Sequence, residues 1–202
     1  MKVLNLYAGI GGNRKLWKDC EVTAVELNPE VAEIYKSFFP DDKIIIGDAA
    51  DYLAKHYDEF DFIWASPPCQ SHSKLNQVNN RHQRYNKSRK LPDMILYAEI
   101  IYLQTFFRGN WVVENVKPYY KPLIQPSFEI ARHYFWSNKI IWNLDFNMGA
   151  FTNIKDDVES MQKLYGFNLQ NWKGKTTIGR WLKNCVIPEV GEYIFNKIRE
   201  RE

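Results

Sequence analysis

Apolar residues in the first 115 positions form short runs, separated by stretches with the period of a helix. The runs predict five β-strands: Val3–Tyr7, Val22–Glu26, Lys43–Ile46, Phe60–Ala65 and Trp111–Glu114. The intervening stretches predict four helices: Gly12–Lys18, Pro29–Phe38, Ala49–His56 and Pro92–Phe107. This alternation is typical of an α/β domain with a doubly wound, mostly parallel, Rossmann-like sheet, in which ligands bind at the carboxyl ends of the strands.

The second half of the chain is less regular. Its pattern predicts a strand at Arg132–Trp136, a helix at Asp157–Tyr165 and an amphipathic helix at Pro188–Arg199. The connection Ser71–Lys90 is polar, basic and long for a compact domain, and loops of this length are usually functional or disordered. The 202 residues contain no internal repeat and suit a single domain, residues 1–202.

Composition indicates an ordinary globular protein, with 45% hydrophobic and 25% charged residues. No apolar run reaches the roughly 18 residues that a membrane span needs, and the first residues lack a signal-peptide pattern. The three cysteines contain no CxxC pair, which argues against a disulfide framework or a zinc site. We therefore expect a reducing, intracellular compartment, the cytoplasm, and no metal.

The net charge of +3 is too small to indicate a polyanionic partner, but its distribution is uneven. Two segments, Phe62–Pro92 and Ser160–Pro188, contain basic residues and no acidic ones. They could line a phosphate-binding cleft, or they could be two solvated loops. Charge alone leaves both interpretations open.

A glycine-rich segment, Tyr7–Gly12, directly follows the first predicted strand. Glycines at such a place let the backbone turn sharply and approach a ligand closely. A dinucleotide fingerprint needs GxGxxG, and Arg14 occupies the third glycine's place, which disfavours a hydride-transfer enzyme. The segment is also consistent with a simple strand-to-helix turn.

Acidic residues follow the next two predicted strands. Glu26 closes the second strand, where a carboxylate can accept hydrogen bonds from ribose hydroxyls. Asp48 follows the third strand, where it could accept a hydrogen bond from the exocyclic amine of an adenine or could cap the next helix. Glycines, Glu26 and Asp48 at successive strand ends favour a nucleoside cofactor.

The fourth and fifth predicted strands end in residues suited to chemistry. Cys69 follows two prolines that stiffen the turn, and the loop after it is positively charged. Such surroundings lower the pKa of a thiol and make it nucleophilic, although a solitary cysteine is more often a small buried hydrophobe. Glu114 ends a strand predicted to be buried, where a carboxyl group is costly unless it is paired or used, and it could bind the edge of a base.

In this order, the motifs make the chain resemble the cytosine-C5 DNA methyltransferase family, in a small, phage-like or orphan form. The matching segments are Tyr7–Gly12, Glu26, Gly47-Asp48, Pro67-Pro68-Cys69-Gln70, Glu114-Asn115-Val116, Arg132 to Phe135, Glu159–Phe167 and Asn184 to Pro188. The specific part is Pro-Cys-Gln followed by Glu-Asn-Val. Adenine-N6 enzymes would instead show Asp/Asn-Pro-Pro followed by an aromatic residue.

The resemblance implies that S-adenosylmethionine donates a methyl group to carbon 5 of a cytosine in DNA. Cys69 would attack carbon 6, Glu114 would bind N3 and the exocyclic amine, and Arg132 would contact the carbonyl. Asn115 would order the loop around the two reactive groups. The base would have to be flipped out of the duplex.

The resemblance also implies the binding residues. Cofactor contacts would be Tyr7, Ala8, Gly9, Gly11 and Gly12 for the methionine part, Glu26 for the ribose, Leu27, Asp48 and Ala49 for the adenine, Pro67 for the floor, and Asn184 and Val186 from the far end of the chain. Nucleic-acid contacts would be Gln70, Ser71, Lys74, Arg81, Arg84, Lys87, Trp172, Lys173 and Lys175. For Trp172, stacking on a base competes with anchoring of a loop.

The sequence departs from the family pattern at several places. Tyr7 replaces the commoner phenylalanine, Lys183 replaces the glycine before Asn184, and Ile130 stands where a second arginine is usual. The family also inserts a target-recognition domain, whereas here residues 137–182 offer only a reduced recognition region. We therefore expect short or relaxed sequence specificity, or help from a second subunit or partner protein. Restriction-modification is one role open to such a protein.

Two alternatives remain open at this point. The same chemistry could act on RNA or on a free cytidine nucleotide, which the small recognition region permits. The chain could also be an inactive DNA-binding relative of the enzymes, as Lys183 and the single Arg132 suggest. Retention of Cys69, Glu114 and the residues of the cofactor pattern argues against inactivity.

Overall fold

The structure is a computed structural model that describes residues 1–74, 91–139, 157–172 and 175–200, with the side chains of 175 and 176 left out. Its strands are β1 (Lys2–Leu6), β2 (Glu21–Glu26), β3 (Lys43–Ile46), β4 (Phe62–Ala65), β5 (Asn110–Val116), β6 (Phe128–Ile130) and β7 (His133–Ser137). Its α-helices are α1 (Pro29–Phe38), α2 (Ala49–His56), α3 (Ile95–Phe106), α4 (Val158–Tyr165), α5 (Lys175–Lys183) and α6 (Pro188–Arg199), with a short 3-10 helix at Tyr57–Glu59.

The seven strands form one sheet in the order β3-β2-β1-β4-β5-β7-β6. Strands β1 to β5 are parallel, whereas β7 runs antiparallel to both β5 and β6. The strand order reverses between β1 and β4, the kind of position at which ligands bind in such sheets. The predicted doubly wound, mostly parallel sheet is therefore confirmed, and the carboxyl ends of β1 to β5 meet at one edge.

Helices cover both faces of the sheet because the central strands carry apolar side chains on both sides. Leu4, Leu6 and Ile63 pack with α2 and α3 on one face. Val3 and Phe62 point to the opposite face and pack with α6. On that same face, apolar residues of α1, α4 and α5 form a further cluster around Ala8 and Ile10.

The predicted helix Gly12–Lys18 was wrong, because this segment is a series of turns. Hydrogen bonds from side chains, and not the regular backbone bonds of a helix, stabilise those turns. Arg14 donates to the Trp17 carbonyl at 2.8 Å and to both Asp42 oxygens at 2.8 and 3.0 Å. Asn13 donates to Oδ1 of Asn5 on β1 at 2.7 Å. These bonds place Arg14 in a structural role.

Strand β6, helix α5 and the 3-10 helix Tyr57–Glu59 were missed by the sequence patterns. Strand β6 has only three residues, too few to show a period of two. Helix α5 contains Gly179 and has two β-branched threonines after its first residue, which weaken its helical signal. Across the described part of the chain, no helix has both the length and the apolar character needed to span a membrane.

Candidate functional site

A cavity of about 710 Å³ opens at the carboxyl edge of the sheet. The ends of β1, β2, β3, β4 and β5 line it, together with the first residue of β7 and the segment between α5 and α6. Ligand sites in proteins usually have volumes of about 300–1,000 Å³. The size and position of the cavity therefore suit a nucleoside-sized ligand and a reacting group.

The glycine turn after β1 forms one wall of the cavity. Gly9 adopts a left-handed conformation with φ +55°, and a Cβ there would meet no atom within 4 Å, so open space borders the backbone. At Gly12, by contrast, a Cβ would lie 2.6 Å from the Val186 carbonyl oxygen. The turn therefore needs Gly9 for its backbone conformation and Gly12 for close contact with the end of the chain.

Gly11, a predicted cofactor contact, is not among the residues that line the cavity. It has φ +88°, and a Cβ there would lie 2.2 Å from the ring of Phe39. The sequence pattern treated all glycines of the turn alike. The structure assigns Gly11 to packing against α1 and corrects that expectation.

Glu26, at the end of β2, links this strand to the glycine turn after β1 through hydrogen bonds. Its Oε2 accepts a hydrogen bond from the Gly9 amide at 3.0 Å, and its Oε1 accepts one from the Asn28 amide at 2.9 Å. A carboxylate has about four acceptor positions, so these two bonds leave capacity for ligand hydroxyls. Glu26 and the adjacent Leu27 both line the cavity.

Asp48 and Ala49 line the same wall at the start of α2. Asp48 caps this helix, because its Oδ1 accepts from the Asp51 amide at 2.9 Å. The capping role that competed with ligand binding in the sequence is therefore present. The cap uses Oδ1, and Asp48 lines the cavity as well.

Beside this wall, Tyr7 forms a polar pair with a residue that the sequence did not single out. The Tyr7 hydroxyl donates to Oε1 of Glu99 on α3, and Glu99 is only 2% exposed. Burial raises the pKa of Glu99 to about 7 and also raises that of Tyr7. Oε2 of Glu99 is buried without a hydrogen-bond partner among the described residues, which favours the protonated form.

The chain returns to the cavity between α5 and α6. Asn184 and Val186 line it, as do Trp181 and Lys183. Helix α6 holds this segment in place, because the Trp17 indole donates to the Gly191 carbonyl at 3.0 Å and a Cβ on Gly191 would lie 2.4 Å from the Asn13 carbonyl oxygen. Contacts far apart in sequence thus close the pocket.

Cys69, Glu114 and Asn115 line the cavity on the other side of β1, together with Ser66, Pro67 and Gln70. The buried Asn115 amide donates to the Pro67 carbonyl at 2.9 Å, and its Oδ1 accepts from the Val116 amide at 3.0 Å. The end of β5 therefore fixes the turn that carries Cys69.

Glu114 is the most perturbed acid of this wall. It is 7% exposed, and burial raises its pKa to about 7, while a hydrogen bond from Ser66 and the charge of Arg132 oppose that rise. The group can therefore both hold and release a proton near neutral pH. That property is typical of a general acid or base.

The expectation of a lowered thiol pKa at Cys69 was wrong. Burial raises the pKa of the Cys69 thiol, and the negative charge of Glu114 raises it further, whereas Arg132 lowers it. In sequence, no acid lay near Cys69, but the fold brings β4 and β5 side by side and Glu114 with them. Forming the thiolate is therefore easier when Glu114 carries a proton.

Arg132 lies in the turn between β6 and β7 and is exposed, outside the walls of the cavity. Its Nη2 lies 3.5 Å from the Lys183 carbonyl oxygen. The next residue, His133, does line the cavity, and its Nε2 lies 3.6 Å from Oε1 of Glu114. Arg132 is thus not among the residues that line the cavity, and its contact with the cytosine carbonyl stays a prediction.

The predicted nucleic-acid contacts are only partly described. Gln70 lines the cavity, Ser71 accepts a hydrogen bond from the Asp93 amide at 2.9 Å, and Lys74 is exposed. Trp172 packs against the α1, α4 and α5 cluster, which favours loop anchoring over base stacking. Four predicted contacts lie outside the described residues or side chains: Arg81, Arg84, Lys87 and Lys173; the side chain of Lys175 is likewise not described.

Among the described residues, no cluster of three or more His, Cys, Asp or Glu side chains could hold a metal ion. The sequence patterns missed Ser66, Glu99, His133 and Trp181 as residues at or beside the cavity. Of these, Ser66 and His133 adjoin recognised motifs and could have been found there. Glu99 and Trp181 lie within helices and had no local signal.

Comparisons with known proteins agree with this geometry. The family model described as C-5 cytosine-specific DNA methylase matches residues 1–124. A mutant of DNMT2 from Spodoptera frugiperda has a similar fold, with TM-score 0.63 and 15% identity over 98% of this chain and 99% of that one. The methyltransferase EhMeth from Entamoeba histolytica has TM-score 0.59 and 12% identity over 98% and 97% of the two chains. A search among curated proteins found no match.

Proposed function

The chain belongs to the C-5 cytosine-specific DNA methylase family, and we propose that it transfers a methyl group from S-adenosylmethionine to carbon 5 of a flipped cytosine in DNA through a covalent Cys69 adduct. The observation that carries this proposal is the placement of Cys69 and Glu114 in one cavity with the glycine turn and Glu26. The family requires a nucleophile, a base-binding acid and a nucleoside pocket together.

The residues present fit the cofactor. S-adenosylmethionine, when bound, supplies an electrophilic methyl group. The open space beside Gly9 gives its amino-acid part room against the backbone. Glu26 keeps acceptor positions for ribose hydroxyls, and Asp48 with Ala49 offers an acidic edge for the adenine amine. Asn184 and Val186 close the pocket from the end of the chain.

Chemistry on the base side starts with Cys69 as the thiolate and Glu114 carrying a proton. The Cys69 thiolate adds to carbon 6 of cytosine, and the electron pair of the carbon 5–carbon 6 double bond moves toward N3. Glu114 in its protonated form donates to N3 and neutralises the developing charge. Carbon 5 then accepts the methyl group. Loss of the carbon 5 proton to a base restores the double bond and expels the thiolate, and N3 returns its proton to Glu114.

This scheme predicts a bell-shaped dependence of adduct formation on pH. The active form of the pair carries one proton, so the rate rises as pH passes through about 7, where Glu114 begins to lose its proton from the doubly protonated state. It falls again above the raised pKa of Cys69, where both groups are ionised. The two limbs belong to the pair, not to either residue alone.

Covalent trapping tests the proposal directly. The protein is incubated with S-adenosylmethionine and duplex DNA that contains 5-fluorocytosine. Fluorine replaces the carbon 5 proton, so the final elimination is blocked and the wild type should remain in an adduct that resists denaturation. Cys69→Ala should form none, whereas Cys20→Ala, which changes a half-buried cysteine outside the cavity, should trap normally. Equal trapping by Cys69→Ala and the wild type would contradict the covalent role.

The identity of the polymer is tested by competition among labelled DNA, transfer RNA and deoxycytidine monophosphate in one methyl-transfer assay. DNA is the proposed substrate because the family matched is a DNA methylase family. In addition, two basic segments without acidic residues, Phe62–Pro92 and Ser160–Pro188, contain residues that line the cavity. Preference for RNA or the free nucleotide would contradict DNA as the substrate and leave the proposed chemistry unchanged. Failure of the wild type to methylate any of the three would favour an inactive relative.

We further propose that target recognition is short or relaxed, or relies on a second subunit. Residues 137–182 are too few for a separate recognition domain with its own core. A plasmid library methylated by the purified protein and sequenced after bisulfite treatment measures this. A strict site of about six or more base pairs would contradict relaxed recognition, since each specified pair needs its own contacts.

A further inference from the structure

We propose that His72 is a positioning residue for the nucleophile, because its side chain bonds Tyr120 and so holds the turn that begins at Cys69. That turn, residues 69–73, is called the nucleophile turn below, and residues 117–120 are called the β5 exit. The inference rests on the proposed function, in which Cys69 is the nucleophile. His72 itself does not line the cavity and would act through the backbone of Cys69.

Backbone hydrogen bonds close the nucleophile turn on Cys69 itself. The amides of His72 and Ser73 both donate to the Cys69 carbonyl oxygen, at 3.0 and 3.1 Å. That carbonyl belongs to the residue whose side chain would react. A displacement of His72 is therefore passed to the backbone that carries the thiol.

Three contacts join the nucleophile turn to the β5 exit. Two are made by the backbone: the Tyr119 amide donates to the His72 carbonyl at 3.1 Å, and Ser73 pairs with Pro118 in an isolated antiparallel bridge. The third is made by side chains, with His72 Nδ1 2.6 Å from the Tyr120 hydroxyl oxygen. Because β5 also carries the base-binding acid, these contacts set the nucleophile and that acid relative to each other.

The side-chain contact is a buried hydrogen bond between neutral groups. His72 is 0% exposed, so water does not replace a lost partner without cost. Burial lowers the pKa of His72, against the opposing effect of the Asp93 charge and backbone, so the imidazole is neutral at pH 7. A neutral imidazole and a tyrosine hydroxyl can each donate and accept, so either tautomer of His72 can make this bond.

The position of the turn determines the state of the thiol. Burial and the charge of Glu114 raise the pKa of Cys69, and Arg132 acts in the opposite direction. A displaced turn should expose the thiol and separate it from Glu114, so the thiol pKa should fall toward its ordinary value. A misplaced sulfur should also add to carbon 6 more slowly. Easier ionisation together with slower adduct formation is therefore the expected sign of lost positioning.

Variants that remove or retain the side-chain bond test this role. His72→Phe keeps a ring but loses Nδ1, Tyr120→Phe loses only the hydroxyl, and His72→Asn keeps a polar atom near the place of Nδ1. We expect His72→Phe and Tyr120→Phe each to slow adduct formation with 5-fluorocytosine DNA about 10- to 100-fold, since small misplacements of reacting groups have effects of this size. The double variant should lie within about threefold of either single one, because both remove the same bond.

Two further variants serve as rescue and control. His72→Asn should stay within about threefold of the wild type in adduct formation, because it retains a partner for Tyr120. Tyr119→Phe is the matched control, because Tyr119 bonds the nucleophile turn through its backbone amide, which the substitution retains. If His72→Phe does not fold, Tyr120→Phe decides the outcome.

A second measurement does not depend on methyl transfer. In a Cys20→Ala background, alkylation of Cys69 by iodoacetamide is followed across pH and located by peptide mass spectrometry, because the thiolate is the reacting form. His72→Phe and Tyr120→Phe should move the alkylation midpoint to lower pH and raise the rate at pH 7 about 3- to 10-fold. His72→Asn and Tyr119→Phe should leave both values near those of the wild type.

The outcomes distinguish this inference from the proposed function. If the wild type forms no adduct but the alkylation midpoint shifts as expected, the positioning of Cys69 stands and the proposed reaction fails. If the wild type forms the adduct and the midpoint does not move in His72→Phe or Tyr120→Phe, the inference is overturned. Equal changes in Tyr119→Phe would also overturn it, since a general loosening of the segment would then explain them.

Discussion

The two sides of the cavity hold their carboxyl groups in opposite ways. On the cofactor side, Glu26 and Asp48 accept hydrogen bonds from backbone amides at strand ends and a helix start. On the base side, Glu114 and Cys69 are desolvated, and burial raises the pKa of each. On one side, backbone amides hold the carboxyl oxygens in place. On the other side, burial keeps a proton available near neutral pH.

This difference matches what each side would do. Binding a ribose needs an acceptor in a fixed position, which a carboxylate held by backbone amides provides. Adding a thiol to a base needs a proton to move, and a proton moves easily only when its donor titrates near the working pH. The contrast predicts that equivalent substitutions on the two sides have different consequences.

The largest effect should come from Glu114→Gln. Gln cannot supply a proton to N3, so methyl transfer should fall by about 100- to 10,000-fold, the range of general acid–base contributions, with unchanged affinity for S-adenosylmethionine. The rising limb should move from near pH 7 up to the raised pKa of Cys69, because the thiolate must then form without Glu114. Single-turnover rates across pH and calorimetric cofactor binding measure these effects. A rising limb retained near pH 7 would assign it to another group.

Stability should change in the opposite direction in the same variant. The folded pKa of Glu114 is raised from 4.5 to about 7, so the folded state holds the proton more tightly and loses stability as pH rises from 4.5 to 7. Glu114→Gln removes this loss. The variant should be more stable than the wild type at pH 8, by on the order of 2–3 kcal/mol, and little changed at pH 4.

Next in size is Glu26→Ala on the cofactor side. It removes the acceptor and leaves the Gly9 and Asn28 amides without their partner, so the Kd for S-adenosylmethionine should rise about 10- to 100-fold. At saturating cofactor the rate of adduct formation should recover. Calorimetry would measure the affinity for S-adenosylmethionine, and single-turnover kinetics would measure the rate of adduct formation. If saturating S-adenosylmethionine did not restore the rate, Glu26 would act in the reaction as well as in cofactor binding, and the contrast between the two sides would be wrong.

A smaller effect is expected from Gly12→Ala. The new methyl group would lie 2.6 Å from the Val186 carbonyl oxygen and 2.7 Å from Cys185 Cβ, so the end of the chain must shift. Denaturant unfolding should show a loss of about 1–3 kcal/mol, as for overpacking in general, with weaker cofactor binding. Gly179→Ala on α5 is the control, since its nearest contact is 3.5 Å away. Equal stability of both variants would argue against this close approach.

The smallest effect on activity is expected from Glu99→Gln. The folded pKa of Glu99 is also raised from 4.5 to about 7, so stability conferred by the wild-type group falls as pH rises through this window. Glu99→Gln should therefore gain stability at pH 8 and not at pH 4, as Glu114→Gln does. Methyl transfer should be far less affected, because Glu99 contacts Tyr7 and does not line the cavity. Thermal unfolding at both pH values tests this.

Much of the fold and the cavity could be predicted from local patterns. The sequence identified four site residues because each lies near the end of a strand that a run of apolar residues predicts: Glu26, Asp48, Cys69 and Glu114. Parallel strands end at one edge, so these residues meet there. The turns after Gly12 could not be predicted in this way. Side chains from Asn5 and Asp42 hold them, and these partners are distant in sequence from the pattern.

The sequence by itself determined where the five parallel strands lie along the chain and which residue types stand at their ends, because both follow from local periodicity and motif. Only the tertiary structure decided which charges meet. It placed Glu114 beside Cys69, so that the thiol pKa is raised, and it put His133 in the cavity in preference to Arg132. The reason is physical: desolvation and Coulomb energy depend on distances across the sheet, and spacing along the chain does not specify those distances.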